Sequence, residues 1–313
     1  MSRIFDALQR SGFEQTGVEY PDIVSVATAV LEAPQEQAPE RLVAAEQPEE
    51  VQMLAIPMPE VAAEEATTNA LPAFPSLDVH VPPNSRLMYF MAPDSLAAEK
   101  FRFLGVRLRH VRQGRTLKKV LVTSTISEEG KSLVSANLAG VLARRKERVL
   151  LIEGDMRRPT LAQQFGLGRL SGLAEWLQNG QRTPSNVYHL SGLDLWLMPA
   201  GDSPANPLEL IQSPRLSQLM EQLTPLFDWI IVDSPPLLPV ADATVWSRLT
   251  DGILLVARVG KTERRLLQRG LEILKMSDLL GVVLNGCSNS DHENYYQGYS
   301  RSAAKRTSLP ALH

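Results

Sequence analysis

Cysteine is nearly absent from this chain of 313 residues, and long apolar runs are absent altogether. Cys287 is the only cysteine, which excludes an intramolecular disulfide and suits a reducing compartment. No apolar run approaches the ~18 to 20 residues that a membrane-spanning helix needs, and the N-terminus lacks the apolar core of a signal peptide. We therefore expect a soluble cytoplasmic protein.

Basic residues are scarce at the start of the chain and abundant later. Residues 1–85 hold fourteen acidic and three basic side chains, so that residues 86–313 carry a net charge of +8 in a chain whose overall charge is −3. A mildly basic domain suits anionic ligands such as a nucleotide or an acidic membrane face. The excess is too small to argue for a nucleic-acid partner, and we expect none.

Composition divides the chain into four segments. Residues 1–12 place apolar side chains on one face, which predicts a short amphipathic helix that docks on a partner or a lipid surface, or else a frayed end without function. Residues 13–85, rich in Pro, Glu, Ala and Gln, predict a disordered linker. Residues 86–290 predict the folded domain, and residues 291–313 predict a flexible tail that contains tyrosines.

A Gly-Lys-Ser sequence follows the first strongly apolar run of the domain. The run at 120–122 ends in polar residues that lead to Gly130-Lys131-Ser132 and then to an apolar pattern of helical spacing. This order is typical of a phosphate-binding loop, in which backbone N–H groups hold phosphate oxygens, the lysine reaches the β- and γ-phosphates and the serine ligates Mg²⁺. Thr125 stands where the motif usually has its first glycine. The alternative is an ordinary helix start with Lys131 in solvent.

Two other apolar runs end in acidic residues. Glu153 and Asp155 follow one run, and Asp233 follows the other. Buried carboxylates are costly unless they are paired or bound to a metal, so we expect Mg²⁺ ligands here and, in the first pair, an acceptor for the proton of an attacking hydroxyl. The alternatives are loop acids bridged to Arg157 and Arg158, and an ordinary strand-to-loop turn.

Strands and helices are predicted to alternate through the domain. This pattern indicates an α/β fold with a three-layer, mostly parallel sheet and helices on both faces, the architecture of P-loop NTPases. A helix that starts at Asp94 or Ser95 and runs through Val111 precedes the sheet. The predicted strands are 119–124, 148–153, 193–198, 228–233, 252–257 and 280–285. The predicted helices are 131–146, 159–165, 172–179, 206–224, 240–249 and 262–277.

Three stretches together resemble the motifs of a known family. The sequences LVTSTISEEGKS, VLLIEGDMRRP and IIVDSPPLLPVADA are similar to the Walker A, A′ and B motifs of bacterial tyrosine kinases of the capsule and exopolysaccharide type, within the deviant-Walker ATPase superfamily. The strand sequence GVVLN, which ends at Asn285, and the tyrosines of the tail also resemble this family. The similarity covers residues 92 to 300.

The resemblance implies an ATP- and Mg²⁺-dependent protein-tyrosine kinase that phosphorylates the tail of a neighbouring copy and regulates polysaccharide synthesis and export. It implies catalytic roles for Lys131, Asp155 and Glu153. It implies Mg²⁺ ligation by Ser132, Asp155 and Asp233. It implies ATP contacts from Thr125, Ser127, Glu129, Gly130, Lys131, Ser132, Leu133 and Asn285. It implies that the accepting tyrosines are Tyr295, Tyr296 and Tyr299.

The same resemblance also implies how copies of the chain assemble and which protein activates them. Glu99 and Arg102 match the first two positions of the Glu-x-x-Arg-x-x-Arg sequence that supports ring assembly in this family, while Gly105 stands at the third. We expect a homo-oligomer and leave the ring open. The implied activator is a membrane-embedded polysaccharide chain-length regulator, here a separate chain, which would recruit the kinase to the inner face of the cell membrane.

Two further departures, together with Thr125 and Gly105 above, keep a different function open. Ser127-Glu128 replaces the usual Pro-Gly, and we expect the negative charge of Glu128 to weaken ATP binding. Glu153 replaces an aspartate, which displaces the carboxylate by about one bond length. The alternative function is a nucleotide-dependent adaptor or positioning ATPase that serves the polysaccharide machinery without phosphorylating tyrosine.

Overall fold

The structure is a computed structural model that describes residues 71–83, 85–180, 184–274 and 278–287. The predicted helix at 1–12 and the tail tyrosines Tyr295, Tyr296 and Tyr299 lie outside the described residues. Within those residues, every helix is too short or too polar to cross a membrane.

A single sheet forms the centre of the described domain. Its strands are β1 (Ser76–Asp78), β2 (Lys119–Ser124), β3 (Val149–Glu153), β4 (Tyr188–Ser191), β5 (Leu195–Met198), β6 (Trp229–Asp233), β7 (Gly252–Arg258) and β8 (Leu279–Asn285). Their order across the sheet is β1-β4-β5-β3-β6-β2-β7-β8. Only β4 and β5 pair antiparallel among these strands, so the predicted mostly parallel α/β fold is confirmed.

Helices connect the strands. They are α1 (Met88–Met91), α2 (Leu96–Gly114), α3 (Lys131–Ala143), α4 (Leu161–Gln164), α5 (Leu173–Asn179), α6 (Pro207–Gln212), α7 (Pro214–Leu223), α8 (Asp242–Ser247) and α9 (Arg264–Ile273). Ser95 caps α2 by accepting a hydrogen bond from the Ala98 N–H, as its position in the sequence predicted. Helix α3 is buried around almost its whole circumference, and its buried polar side chains Ser135 and Asn137 donate hydrogen bonds to carbonyl oxygens one turn earlier.

The sequence patterns did not predict β1 and β4, the two short strands at one edge of the sheet. Strand β1 pairs with β4, with Leu77 opposite Leu190, so the predicted disordered linker at 13–85 is wrong for residues 76–78. Both strands have three or four residues, and β4 has one fully buried residue. Segments so short and so little buried leave almost no periodic signal in a sequence.

The predicted helix at 206–224 is wrong as a single element. It is divided into α6 and α7 at Ser213, because Pro214 has no N–H group and its ring excludes a continuous helix. The predicted helix at 159–165 is a single turn, α4, and the predicted helix at 131–146 ends at Ala143. The helices predicted at 240–249 and 262–277 are also shorter in the structure, where they are α8 and α9.

Candidate functional site

The three motifs meet because their strands are neighbours. Strands β3, β6 and β2 lie side by side in that order, and all three are parallel. Glu153 on β3 is the register partner of Asp233 on β6, and Val122 of β2 is opposite Asp233 on its other side. The carboxyl ends of the strands therefore place the phosphate-binding loop and the acids at one edge, where ligands of such sheets bind.

Lys131 and Asp155 form an ion pair at this edge. The Lys131 Nζ lies 2.9 Å from Asp155 Oδ2, and the two side chains are 12% and 5% exposed. Burial alone lowers the pKa of Lys131, but the charges of Asp233 and Asp155 outweigh it and raise this pKa above its ordinary value. Asp155 Oδ1 also accepts a hydrogen bond from the Arg158 N–H at 3.0 Å. Lys131 is therefore held as a cation inside the site and not in solvent.

Asp233 is buried between these groups with one oxygen unpaired. Its Oδ1 accepts a hydrogen bond from Ser135 Oγ at 3.2 Å, while its Oδ2 has no hydrogen-bond partner. Burial raises the pKa of Asp233, and the positive charge of Lys131 offsets only part of this effect. An orphaned carboxylate oxygen beside Ser132 fits a site for Mg²⁺, which prefers oxygen ligands and would give this oxygen a partner.

No cluster of three or more acidic, His or Cys side chains suited to a metal occurs among the described residues. This agrees with the usual Mg²⁺ site of nucleotide enzymes, which uses one or two carboxylates together with phosphate oxygens and water. Asp233 and Ser132 fit this arrangement, and Asp155 would complete it once its pairing with Lys131 is relaxed.

Glu153 is placed differently from the expectation that it faces the reacting groups. Its Oε1 accepts hydrogen bonds from the backbone N–H groups of Thr160 and Leu161, and its Oε2 accepts one from the Ala200 N–H at 3.2 Å. Its side chain is almost completely buried, and burial raises its pKa despite these bonds. Glu153 therefore links the start of α4 to the loop after β5 through hydrogen bonds to backbone N–H groups.

The turn of the phosphate-binding loop depends on Gly130. This residue has a φ of +94°, and a Cβ added to it would collide with the side chain of Asn285. The Asn285 Nδ2 donates a hydrogen bond to the Glu129 carbonyl oxygen at 2.9 Å, which fixes β8 against the loop. Asn285 thus lies against the phosphate-binding loop, and its contact with ATP stays a prediction.

Glu129 has its carboxylate engaged within the protein. One oxygen accepts a hydrogen bond from the Ile126 N–H at 2.9 Å, and the other pairs with the Thr262 hydroxyl. Thr125 is completely buried, and its hydroxyl has no hydrogen-bond partner. Ser127 lies within the loop and Leu133 in the first turn of α3, and both are partly buried. The side chain of Glu129 is therefore committed elsewhere, which leaves its backbone for any contact with phosphate.

Glu128 joins the loop to the segment after β7, a contact that the sequence did not predict. Lys261 Nζ lies 2.5 Å from Glu128 Oε2, and Arg258 donates a hydrogen bond to the Glu128 carbonyl oxygen at 3.1 Å. The hydrogen bond from Lys261 and its charge lower the pKa of Glu128. The φ of Glu128 is +66°, a left-handed conformation that glycine adopts without strain. We call Glu128, Glu129, Arg258, Lys261 and Thr262 the loop clamp.

Arg157 was predicted only as a possible bridge to the loop acids, and it has another partner. Its guanidinium forms two hydrogen bonds with Asp242, of 3.0 and 3.1 Å, across to the first residue of α8. Asp242 is almost completely buried, so this bidentate pair connects the segment after β3 with the segment after β6.

The residues predicted for oligomerisation lie on α2, away from the sheet edge. Arg102 pairs with Glu99 at 2.5 Å one turn earlier and donates to the Pro93 carbonyl oxygen. Gly105 is buried, and a Cβ there would lie 2.7 Å from Val141 of α3. Packing inside the chain therefore explains why the third position of the predicted assembly sequence is a glycine.

Comparison with known proteins agrees with the geometry of this site. The sequence model of one protein family, the CobQ/CobB/MinD/ParA nucleotide binding domain, matches residues 120–312. The fold and the site thus define a nucleotide-binding domain of the ATPase type.

Individual relatives identify the family to which this nucleotide-binding domain belongs. Tyrosine-protein kinase YwqD of Bacillus subtilis is 35% identical over 65% of this chain and 86% of its own length, and the putative tyrosine-protein kinase CapB of Staphylococcus aureus is 32% identical over 66% and 92%. The kinase domain of Escherichia coli tyrosine kinase ETK superposes with a TM-score of 0.63 at 28% identity, covering 75% of this chain and 86% of that one. The chain belongs to the family of bacterial tyrosine-protein kinases.

Proposed function

We propose that the protein is an ATP-dependent tyrosine autokinase that regulates polysaccharide biosynthesis and export. It transfers the γ-phosphoryl group of ATP to tyrosines in the tail of a neighbouring copy. The observation that carries the proposal is the Lys131–Asp155 pair beside the unpaired oxygen of Asp233, because a cation, a carboxylate and a vacant acceptor are what phosphoryl transfer to a hydroxyl requires.

In this proposal, ATP phosphates lie against the N-terminus of α3 and draw Lys131 away from Asp155. Lys131 would then neutralise phosphate charge, and Ser132, Asp155 and Asp233 would hold Mg²⁺. When bound, Mg²⁺ supplies positive charge to the phosphate oxygens and orients them.

Asp155 is the residue we assign to the tyrosine hydroxyl. A phenol has a pKa of about 10, so it reacts well only when a carboxylate accepts its proton as the phosphoryl group is transferred. Glu153 has both oxygens engaged with backbone N–H groups, whereas the partner of Asp155 Oδ2 is the side chain of Lys131, which the phosphates would draw away. Of the two acids, Asp155 is therefore the one that can accept the proton. We assign Glu153 to the support of the segment that carries Asp155.

Relatives support a role in polysaccharide systems. The succinoglycan biosynthesis transport protein ExoP of Rhizobium meliloti is 35% identical over 62% of this chain, which spans 25% of that longer protein. A chimeric protein, CapA2B2, superposes with a TM-score of 0.60 at 29% identity, covering 67% of this chain and 93% of that one. We propose that a separate membrane-embedded chain-length regulator activates this kinase at the inner face of the membrane, and that copies of the kinase associate.

The direct test is labelling of the tail. The full chain is incubated with labelled ATP, Mg²⁺ and the cytoplasmic fragment of the regulator, and phosphotyrosine is mapped by mass spectrometry. We expect label on Tyr295, Tyr296 or Tyr299 in the wild type and its loss in Lys131→Ala. Equal labelling of Lys131→Ala, or no phosphotyrosine in the wild type, would refute the kinase.

The second candidate function is the nucleotide-dependent adaptor. It is favoured by the engagement of Glu153 and by the negative charge of Glu128 beside the phosphate-binding loop. Replacement of the three tail tyrosines by phenylalanine separates the two functions. Polysaccharide export in the cell should be lost if the protein acts as a kinase, and it should be kept if the protein acts only through nucleotide-dependent assembly.

A further inference from the structure

Positive charge is concentrated at the end of the domain opposite the nucleotide site. Strands β2, β3 and β6 begin there, at Lys119, Val149 and Trp229, and helices α2 and α3 end there. The connections around these points are rich in lysine and arginine. Because the strands are parallel, this end is separated from the site by the length of the strands.

The acids at this end are already paired. Glu147 accepts Arg109 at 2.7 Å, and Asp251 lies 3.4 Å from Lys119. Asp228 lies 3.7 Å from an arginine of the same end. These ion pairs neutralise the acidic side chains in the connections near β2, β3 and β6. Other lysine and arginine side chains at this end therefore carry positive charge that no nearby acid balances.

The excess is most evident in the turn after α3. Arg144, Arg145 and Lys146 are consecutive and exposed, and no ion pair of theirs occurs in the described part of the chain. An open depression of about 510 Å³ lies beside them, lined by Arg109, Arg112, Gln113, Lys146, Glu147 and Asp228.

We propose that this surface, which we call the basic end (Arg144, Arg145 and Lys146), binds the anionic headgroups of a phospholipid membrane. Three adjacent exposed cations with no acid among them offer charge without a fixed geometry, which matches many mobile phosphates better than one carboxylate. Contact through this end also leaves the carboxyl ends of the strands facing away from the lipid, where the tail of another copy can reach them.

The proposal goes beyond the kinase function and does not depend on it. The test is sedimentation of the full chain with vesicles of phosphatidylcholine alone or mixed with phosphatidylglycerol. The variant is Arg144→Gln, Arg145→Gln and Lys146→Asn, where asparagine suits the φ of +61° at position 146. The matched control removes three exposed arginines from α9, with Arg264→Gln, Arg265→Gln and Arg269→Gln.

We expect the wild type to bind the anionic vesicles, more weakly as salt rises, and the basic-end variant to lose about 100-fold in partitioning, since each cation near an anionic surface adds roughly fivefold. The α9 control should keep its binding. Nucleotide binding, measured by calorimetry, should be unchanged in both variants and shows that they are folded.

Three results would overturn the proposal. The first is wild-type protein that does not prefer anionic vesicles, and the second is equal loss in the basic-end variant and the α9 control. The third is a basic-end variant that still binds vesicles but no longer binds polyglutamate, which would make an acidic protein the partner of this surface.

Discussion

Glu153 and Asp233 are opposite each other on neighbouring strands, yet their surroundings give them different tasks. Both are buried acids at the end of an apolar run, and from sequence Glu153 was expected to be catalytic and Asp233 to ligate Mg²⁺. The structure surrounds Glu153 with three backbone N–H groups and leaves one oxygen of Asp233 without a partner. Sequence could identify the buried acids, but the donors around Glu153 come from segments whose folding no local pattern predicts.

The role of Glu153 as a backbone acceptor can be tested by Glu153→Gln. The amide places an N–H group against backbone N–H donors, so at least one buried bond is lost. We expect the free energy of unfolding to fall by about 1 to 3 kcal/mol, measured by urea denaturation.

The control for this prediction is Glu221→Gln. Glu221 is exposed on α7, and the same change there should alter stability by less than about 0.5 kcal/mol. A Glu153→Gln protein as stable as the wild type would contradict the role of Glu153 as a backbone acceptor. It would instead favour the catalytic role that the sequence predicted.

At the scale of elements, the clamp holds the phosphate-binding loop from outside, in addition to the strand and helix that flank it. Lys261 and Arg258 contact Glu128, while Thr262 contacts Glu129. The sequence identified the loop through Gly130-Lys131-Ser132, and it identified β7 through an apolar run. It could not show that residues about 130 positions apart pair, because neither acid belongs to a pattern that specifies its partner.

The clamp predicts that Lys261 assists ATP binding by offsetting the charge of Glu128. We expect Lys261→Ala to weaken ATP binding up to about fivefold, because Glu128 then repels the phosphates without compensation. In a Glu128→Gly background the same Lys261→Ala change should have little effect. Calorimetry on the four proteins of this cycle measures the coupling.

Arg265→Ala is the matched control for the clamp, because Arg265 is an exposed cation on α9. It should leave ATP affinity unchanged in both backgrounds. Equal losses from Lys261→Ala with and without Glu128 would show that Lys261 acts on the nucleotide independently of the acid.

At the scale of the whole molecule, three segments that are far apart in the chain form one site because of the strand order. The three motifs GKS, EGD and VDS alone predicted that the strand ends would meet, since the carboxyl ends of parallel strands share an edge. The order of the eight strands, and the addition of β1 from the presumed linker, depend on packing that the sequence does not display locally.

Transfer between copies can be tested by mixing two inactive chains. One is Lys131→Ala with an intact tail, and the other has an intact site with Tyr295, Tyr296 and Tyr299 changed to phenylalanine. Each alone should remain unlabelled with ATP and the regulator fragment. Together they should yield phosphotyrosine on the Lys131→Ala chain, detected by mass spectrometry. Absence of label in the mixture, when the wild type is labelled, would indicate transfer within one copy.

The position of Cys287 has a practical consequence. It is exposed, it is the only cysteine of the chain, and it lies two residues after Asn285, whose side chain is bonded to the phosphate-binding loop. A thiol-reactive fluorophore would therefore attach at one known position near the phosphate-binding loop, without any engineered substitution. The native chain thus provides its own attachment point for an optical reporter of occupancy.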